Sequence, residues 1–326
     1  MVYDSLNVLG IMSGTSCDGL DLCLANFCYS NDDYKYQIIK AVTITFPNQL
    51  KKSLQNSTQL SGIDLIKLNK EWSDFASKQI NIHFLSLDFK IDLISSHGHT
   101  VFHDPYKGIN YQLGSLDVLC ANTKVDVVGD FRSLDIANGG QGAPLVPYGD
   151  EKLFNEYDVC INLGGFANLS YSVNNSRKAF DICPCNLVLN HFASKLGADY
   201  DFGGGIASKG VLIPDLLSDL NNLPYYQKEN SKSLGIEQLE NEIFPLFLRY
   251  ENTLKDIPNI MHTFVHHIVV QIKKVIPLDK KTILFSGGGV YNDFLMQLLK
   301  SKLNDKSIII PDQVLLTLKK HLFLGF

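Results

Sequence analysis

Apolar and polar residues alternate near the start of the chain in a way that predicts a β-hairpin. An apolar run over 7–9 leads into a turn rich in small residues, including Gly14 and Gly19. Leucines then alternate with polar residues over 20–24, which is strand periodicity. A further segment over 36–46 is rich in β-branched residues and predicts a third strand.

The next part of the chain changes from strand to helix periodicity. Apolar residues recur at helical spacing over 63–87, which predicts a long amphipathic helix. A short buried strand over 92–95, a helix over 115–123 and a strand over 125–128 follow. The predicted order is three strands and a long helix, then a strand, a second helix and a further strand.

The second half of the chain repeats the pattern of the first. An alternating strand over 157–163 enters a turn at Gly164 and Gly165, and strands over 167–173 and 178–180 follow. The recurrence of this hairpin pattern at about half the chain length indicates an internal repeat and two similar lobes. Further elements are predicted as helices over 184–196, 212–222, 236–276 (broken near 256–259) and 293–303, and strands over 282–285 and 307–310.

Composition and charge narrow the class of protein. The chain of 326 residues has a net charge of −5 and a pI near 6.0, which argues against a dedicated nucleic-acid binder. Its seven cysteines are dispersed and odd in number, as in proteins that keep their thiols reduced. We find neither a signal peptide nor a membrane-spanning run, so the expected location is cytoplasmic.

The turn of the first hairpin carries candidate phosphate-binding chemistry. Glycines let a backbone approach a ligand closely, and successive N–H groups of such a turn can form an anion-binding concavity. Asp18 and Asp21 would need a cation between themselves and a phosphate, which suggests Mg²⁺. The alternative is a plain glycine-rich turn between two core strands.

Histidines dominate the polar segment after the first long helix. His97, His99 and His103 fall within seven positions, and His97 and His99 would share one face of an extended strand. One hypothesis is a metal-dependent hydrolase that uses these histidines and Asp130. The other is that one histidine contacts a ligand or orients the loop.

Three later segments also carry candidate chemistry. The loop over 129–147 contains Arg132 and Gln141, and it follows a strand at the edge where open α/β sheets bind ligands. Asp181 is predicted at a strand end, where it would act as a catalytic acid or base or would cap the next helix. The glycines over 287–289, between a strand and a helix, are typical of nucleotide contact.

Three glycine-rich turns that each follow an apolar strand resemble the actin-like (hexokinase/Hsp70) ATPase fold. This is an α/β, ribonuclease H-like fold with two lobes and a cleft between them. Longer strings resemble the anhydro-N-acetylmuramic acid kinases more narrowly. They lie over 10–21, 127–132, 135–147 and 162–170.

The resemblance implies an ATP-dependent kinase that requires Mg²⁺. Enzymes of this family open the 1,6-anhydro ring of anhydro-N-acetylmuramic acid with water and phosphorylate O6. The product, N-acetylmuramate 6-phosphate, enters the recycling of bacterial cell walls. The resemblance also implies a homodimer, an N-terminal lobe over 1–130 and a C-terminal lobe over 131–326.

Residue roles carry over position by position. Asp181 is implied as the general base that activates water. The implied cofactor-binding residues are Gly14, Thr15, Ser16, Asp18, Gly19, Asp21, Gly164, Gly165, Gly287, Gly288 and Gly289, with Asp18 and Asp21 holding Mg²⁺ through water. The implied sugar-binding residues are His97, Arg132, Gln141 and Asn168.

Two segments depart from the family pattern. After Asp181 the family usually has Thr-Gly-Pro-Gly-Asn, whereas this chain has Ile-Cys-Pro-Cys-Asn; Cys183 and Cys185 are interpreted as packing residues beside the site. Lys320 stands where the family has an acidic residue that contacts the sugar. This second departure motivates the alternative of a catalytically impaired relative that binds ATP or sugar.

Overall fold

The computed structural model describes residues 5–14, 17, 19–30, 33–85, 89–174, 176–227 and 232–311. Two compact units divide the chain, one running through Leu153 and the other beginning at Phe154. The sequence places the lobe boundary after residue 130. The chain between that point and Leu153 lies in the first unit.

The first unit combines one sheet with five helices among its described residues. Its strands are β1 (Leu6–Ser13), β2 (Leu20–Ser30), β3 (Asp33–Ile44), β4 (Leu93–Asp104), β5 (Ile109–Leu113) and β6 (Val127–Gly129). Its helices are α1 (Asn48–Gln55), α2 (Gly62–His83), α3 (Leu116–Thr123), α4 (Ser133–Ala137) and α5 (Leu145–Leu153). The long helix predicted over 63–87 is confirmed as α2, and Ser61 caps its start by accepting the N–H of Asp64.

The sheet of the first unit is centred on β1. Strand β1 pairs antiparallel with β2 and parallel with β4, and β2 pairs antiparallel with β3. The first part of β4 pairs parallel with β6, and its last part pairs antiparallel with β5. The buried leucines of β2 and the fully buried indole of Trp72 on α2 share one hydrophobic core.

The second unit has its own sheet and its own core. Its strands are β7 (Val159–Leu163), β8 (Phe166–Val173), β9 (Ser176–Pro184), β10 (Thr282–Ser286) and β11 (Ser307–Ile309). Its helices are α6 (Asn186–Lys195), α7 (Pro214–Asn221), α8 (Ile236–Gln238), α9 (Phe244–Phe247), α10 (Ile257–Val275) and α11 (Asp293–Lys302). The apolar face of α10 packs in the core of this unit with Phe192 and Phe285.

The two sheets share one strand order. In the second unit β7 pairs antiparallel with β8 and parallel with β10, β8 pairs antiparallel with β9, and β10 pairs parallel with β11. In both units the strands therefore lie side by side as third, second, first and fourth, and a last parallel strand follows the fourth. This confirms the predicted repeat and agrees with the actin-like α/β fold that the resemblance implies.

Local differences from the sequence expectations lie mostly at polar segments. The short strand expected over 92–95 is β4, which continues through the histidine segment to Asp104. The segment over 129–147, expected as a loop, contains α4 and the start of α5. No helix of the described residues is long and apolar enough to span a membrane.

Candidate active site

The second hairpin places its glycine turn against the start of a helix. The carbonyl of Gly165 accepts the N–H of Cys185 at 2.8 Å, and the carbonyl of Gly164 accepts the N–H of Asn186 at 3.1 Å. The amide of Asn186 returns a hydrogen bond to the carbonyl of Leu163 at 3.0 Å. These bonds fix the turn beside the N-terminal end of α6, where the helix dipole favours negative charge.

The triple-glycine turn lies against the same end of β7. Gly287 has a φ of +86°, and a Cβ there would lie 2.6 Å from Oδ1 of Asn162 and 2.8 Å from the carbonyl of Leu163. A Cβ on Gly289 would lie 2.6 Å from the Cβ of Leu163. The structure thus brings together two of the predicted cofactor-binding groups, Gly164–Gly165 and Gly287–Gly289.

Asp181 lies within strand β9, not at its end. The expectation of a strand end before a helix is wrong, because β9 continues to Pro184 and Cys185 occupies the cap position of α6. Asp181 pairs with Asn168 across β8 and β9. The next residue of β8 toward the turn, Ala167, pairs with Cys183, so one residue of β9 is left over and forms a bulge. Two predicted site residues, Asp181 and Asn168, are therefore direct cross-strand neighbours beside a bulge, where strands commonly redirect side chains.

The carboxyl group of Asp181 has unusual electrostatics. Burial raises its pKa to about 6, because a charged carboxylate loses solvation, while the N–H of Leu234 acts against this rise by donating to Oδ2 at 2.8 Å. A carboxylate with a pKa near neutrality is suited to general-base catalysis.

The two cysteines beside Asp181 are packing residues, as expected. Cys183 and Cys185 are fully buried, and burial raises the pKa of both thiols, that of Cys185 to about 12. Their thiols therefore stay protonated and unreactive near neutral pH. Their burial in the core of the second unit agrees with the sequence interpretation of both as packing residues.

The first hairpin is described only in part. The N–H of Cys17 donates to the carbonyl of Gly14 at 3.0 Å, and a Cβ on Gly19 would lie 2.7 Å from the carbonyl of Ile44. The predicted site residues Thr15, Ser16 and Asp18 lie outside the described residues, as does Lys320.

Asp21 is the described carboxylate of this hairpin. It is buried in β2, and its Oδ1 accepts the hydroxyl of Thr43 at 2.6 Å. A carboxylate beside a turn that the sequence predicts to bind phosphate fits the preference of Mg²⁺, which uses one or two carboxylates with substrate phosphates and water.

A histidine and an arginine form the second polar group of the first unit. The Nε of Arg132 donates to Nε2 of His97 at 3.1 Å, and Nη1 of Arg132 donates to the carbonyl of Gly142 at 2.7 Å. Burial and the neighbouring guanidinium lower the pKa of His97 to about 4. His97 is therefore neutral at pH 7 and can accept the bond from Arg132.

His99 takes part in a different contact. Its Nδ1 lies 2.9 Å from the hydroxyl of Ser13 at the end of β1, and burial lowers its pKa to about 4. The pairing of β4 with β1 shifts register at His97, and Gly98 has a φ of +72°. The expectation that His97 and His99 share one face of the strand assumes that side chains alternate regularly between the two faces. The bulge at His97 breaks that alternation.

The histidine cluster does not have the geometry of a metal site. Among the described residues, no three His, Cys, Asp or Glu side chains are grouped so that they could hold a metal ion. His97 accepts from Arg132, and Asp130 accepts the hydroxyl of Ser133 at 2.6 Å. The arrangement therefore does not favour the hypothesis of a metal-dependent hydrolase.

Gln141 is an exposed residue beside the segment that Arg132 holds. Its side chain is exposed, and the residue after it, Gly142, supplies the carbonyl that Arg132 binds. The N–H of Gly142 donates to Oδ2 of Asp135 at 2.7 Å, so the segment is held by its own residues. The structure thus brings His97 and Arg132 together and leaves Gln141 at the surface of the same unit.

Sequence reasoning missed the residues that hold Asp181. The hydroxyl of Tyr225 donates to the carbonyl of Asp181 at 2.6 Å, and the N–H of Asp181 donates to the carbonyl of Lys232 at 3.0 Å. These contacts span more than forty residues of sequence. The adjacent tyrosines 225 and 226 are visible in the sequence, but residue type alone does not link them to Asp181.

Comparison with known proteins places the chain in one family. The family model described as anhydro-N-acetylmuramic acid kinase matches residues 6–321. An anhydro-N-acetylmuramic acid kinase of Bacillus cereus (strain Q1) is 32% identical over 332 residues, covering 93% of this chain and 86% of that protein. One of Francisella tularensis subsp. novicida is 33% identical over 329 residues, with the same coverage.

Solved structures match the whole chain more loosely. A ROK family glucokinase from Streptomyces griseus, in complex with glucose and AMPPNP, has a TM-score of 0.45 at 9% identity. The match covers 98% of each chain. The family assignment rests on the sequence relatives.

Proposed function

Because the chain belongs to the anhydro-N-acetylmuramic acid kinase family, we propose that it converts anhydro-N-acetylmuramic acid to N-acetylmuramate 6-phosphate with ATP and Mg²⁺. The reaction opens the 1,6-anhydro ring with water and phosphorylates O6. The observation that carries the proposal is the carboxylate of Asp181, whose pKa of about 6 suits a base that works near neutral pH.

Asp181 is assigned as the general base that accepts a proton from the attacking water. The water oxygen bonds to C1 as the bond between C1 and O6 breaks, and the water's proton passes to the carboxylate of Asp181. O6 in turn bonds to the γ-phosphorus, and the bond from that phosphorus to the bridging oxygen breaks, which releases ADP. Water is a poor nucleophile, so a positioned carboxylate accelerates this step.

The glycine turns are assigned to ATP. Phosphoryl transfer depends mostly on positioning and on neutralising charge with backbone donors and Mg²⁺. In this assignment Asp21 holds Mg²⁺, together with Asp18, which lies outside the described residues. The residues assigned to the nucleotide are Gly14, Thr15, Ser16, Asp18, Gly19, Asp21, Gly164, Gly165 and Gly287–Gly289.

The sugar is assigned to four polar residues. Asn168 lies opposite Asp181, and His97 orients the guanidinium of Arg132 by accepting from its Nε. A guanidinium held in this way can bind a carboxylate or phosphate oxygen with defined geometry. Gln141 completes the set on the strength of the family resemblance alone.

Sugar-dependent ADP release tests the proposal. Purified protein is incubated with ATP and Mg²⁺, with and without 1,6-anhydro-N-acetylmuramic acid, and ADP and the phosphorylated product are quantified. We expect one ADP and one N-acetylmuramate 6-phosphate per sugar consumed. Absence of sugar-dependent turnover in folded protein that binds ATP would contradict the proposal and favour a catalytically impaired relative.

The cellular setting follows from the same proposal. The reaction places the protein in the recycling of cell-wall amino sugars in the cytoplasm, where ATP is available and where thiols such as those of the described cysteines stay reduced. A homodimer is proposed from the family resemblance. Light scattering coupled to size-exclusion chromatography tests it.

A further inference from the structure

A segment far along the chain holds Asp181 through its backbone. The N–H of Asp181 donates to the carbonyl of Lys232 at 3.0 Å, and the N–H of Leu234 donates to Oδ2 of Asp181 at 2.8 Å. One bond joins two backbone groups and the other joins a backbone N–H to the carboxylate, so the segment Lys232–Leu234 holds both the main chain and the side chain of Asp181. Among the described residues Oδ2 is the carboxylate oxygen with a donor, so Oδ1 is the oxygen left to take the proton from water.

Tyr225 connects this segment to the base. Its side chain is 4% exposed, and its hydroxyl donates to the carbonyl of Asp181 at 2.6 Å. The ammonium of Lys232 lies 4.6 Å from the centroid of the Tyr225 ring and donates to the Tyr225 carbonyl at 3.4 Å. Tyr225 therefore contacts both Asp181 and the residue that begins the supporting segment.

The neighbouring tyrosine has a different partner. The hydroxyl of Tyr226 lies 2.9 Å from Nε2 of His267 on α10, and Nδ1 of His267 lies 2.8 Å from Oδ1 of Asn221. The amide of Gln271 also donates to Oδ1 of Asn221, so that oxygen accepts and Nδ1 of His267 carries the proton. Tyr226 thus donates to His267 and anchors this aromatic pair to the core.

We propose that Tyr225 is a positioning residue for the general base, holding Asp181 and Lys232 so that the Leu234 N–H stays bonded to Oδ2 and Oδ1 faces the water. This inference rests on the proposed function of Asp181. It adds a residue that touches neither the sugar nor the nucleotide in the proposed reaction. Misplacing a reacting group by a fraction of an ångström costs rate without changing which substrates bind.

The charges around Asp181 determine how this role can be observed. Among the described residues, the titratable groups beside it are Tyr225 and Cys183, and burial raises the pKa of both, so they stay neutral in the working range. The nearby cation is the ammonium of Lys232, which lies 4.6 Å from the centroid of the Tyr225 ring. The Leu234 N–H lowers the pKa of Asp181, against the rise due to burial. Loosening that bond should therefore raise the pKa of Asp181 further.

The test is Tyr225→Phe, which removes the hydroxyl and keeps the ring under Lys232. We expect kcat to fall about tenfold, the KM for ATP to stay unchanged and the acidic limb of the kcat/KM profile to move up by about 0.5 pH unit. Tyr226→Phe is the matched control, because its hydroxyl serves His267. We expect it to lower the unfolding temperature without moving the acidic limb.

A second measurement separates this inference from the proposed function. The carboxyl pKa of Asp181 is followed by ¹³C NMR, with the signal assigned from its loss in Asp181→Asn. A higher pKa in Tyr225→Phe supports the positioning role even if the wild type shows no sugar-dependent turnover. An unchanged pKa and an unchanged acidic limb in Tyr225→Phe would overturn it.

Discussion

The two units of this protein have the same strand order but place different chemistry on it. In the first unit the carboxylate stands on the second strand, where Asp21 faces Thr43 of the third strand. In the second unit the positions are exchanged, since Asn168 stands on the second strand and Asp181 on the third. The duplicated sheet fixes where a polar pair can stand, and the residue types at those positions decide which strand of each unit carries the carboxylate.

The fourth strands differ in the same way. In the first unit β4 carries His97 and His99, both neutral near pH 7 because burial lowers their pKa to about 4. In the second unit β10 leads into the glycines over 287–289, which bring backbone close to the turn of the neighbouring hairpin. The fourth strand thus presents buried histidines in one unit and a close-packed glycine backbone in the other.

Asp181→Asn should produce the largest effect and tests whether the base belongs to the second unit alone. An amide cannot accept the proton of the attacking water, so we expect kcat to fall by about 10³. ATP binding, measured by calorimetry, should stay within about twofold of wild type.

The control for this change is Asp219→Asn in the same unit, where the carboxylate pairs with the exposed Arg249. Exposed ion pairs contribute little to stability, so turnover should be retained. Full turnover in Asp181→Asn would show that another residue activates the water.

Arg132→Lys tests whether the first unit binds the sugar. Lysine cannot reproduce the two directed bonds of the guanidinium to His97 and Gly142. We expect the KM for the anhydro sugar to rise by roughly 10- to 100-fold with little change in the KM for ATP. An increase confined to the KM for ATP would contradict the assignment of Arg132 to the sugar. Arg249→Lys, at an exposed arginine of the second unit, is the control and should leave both KM values unchanged.

Gly287→Ala tests the backbone packing of the second unit. The new Cβ would meet Asn162 and Leu163 below 3.0 Å at a φ of +86°, so we expect a loss of about 2 kcal/mol in unfolding free energy. Gly197→Ala is the matched control. It has a φ of +80° but no atom within 4 Å of its Cβ, and it should lose about 1 kcal/mol.

The single tryptophan makes this test specific to one unit. Trp72 is fully buried in the first unit, so its fluorescence follows the unfolding of that unit. We expect Gly287→Ala to lower the denaturant midpoint measured by circular dichroism and to leave the midpoint measured by Trp72 fluorescence unchanged. A loss seen equally by both probes would mean that the two units unfold as one.

Asp21→Asn tests the assignment of Mg²⁺ to the first unit. Loss of a hard anionic ligand should raise the Mg²⁺ concentration for half-maximal turnover by about tenfold. Thr43→Val, which removes the hydrogen bond to Asp21 and keeps the carboxylate, should have a smaller effect. An unchanged Mg²⁺ dependence in Asp21→Asn would remove Asp21 from the metal site.

The pH dependence of stability should have opposite signs in the two units. Asp181 has a folded pKa of about 6, above its ordinary value of 3.8, so its ionisation destabilises the second unit as pH rises from about 4 to 6. The folded pKa of His97 and His99, about 4, lies below 6.5, so the first unit loses stability as pH falls from about 6.5 to 4.

Unfolding of variants at pH 4 and pH 8 checks these signs. We expect Asp181→Asn to exceed the wild type in stability by on the order of 1 kcal/mol at pH 8, with no gain at pH 4. His97→Gln should flatten the acid dependence of the Trp72 transition. If Asp181→Asn were less stable than the wild type at pH 8, or if His97→Gln steepened the acid dependence, the burial of Asp181 and His97 as the cause of their pKa shifts would be contradicted.

Periodicity in the sequence predicted the repeated hairpins because alternation over 20–24 and 157–163 reflects strands with buried faces. It did not predict that β9 continues past Asp181, because the bulge opposite Asn168 has no compositional signal. His97 and Arg132 were both singled out by type, but their contact spans 35 residues. The bond from Leu234 to Asp181 involves a backbone N–H, which no residue type reveals.

The most direct test of the account is the fate of the water oxygen. The reaction is run for one turnover in H₂¹⁸O with ATP, Mg²⁺ and 1,6-anhydro-N-acetylmuramic acid. The product is reduced at once with borohydride, which prevents exchange of the oxygen at C1 with water, and its mass is measured by mass spectrometry. The proposed mechanism predicts one ¹⁸O at C1, unlabelled phosphate on O6 and product formation about 10³ times slower in Asp181→Asn. Product that carries ¹⁸O in its phosphate, or labelled product from Asp181→Asn at the wild-type rate, would contradict it.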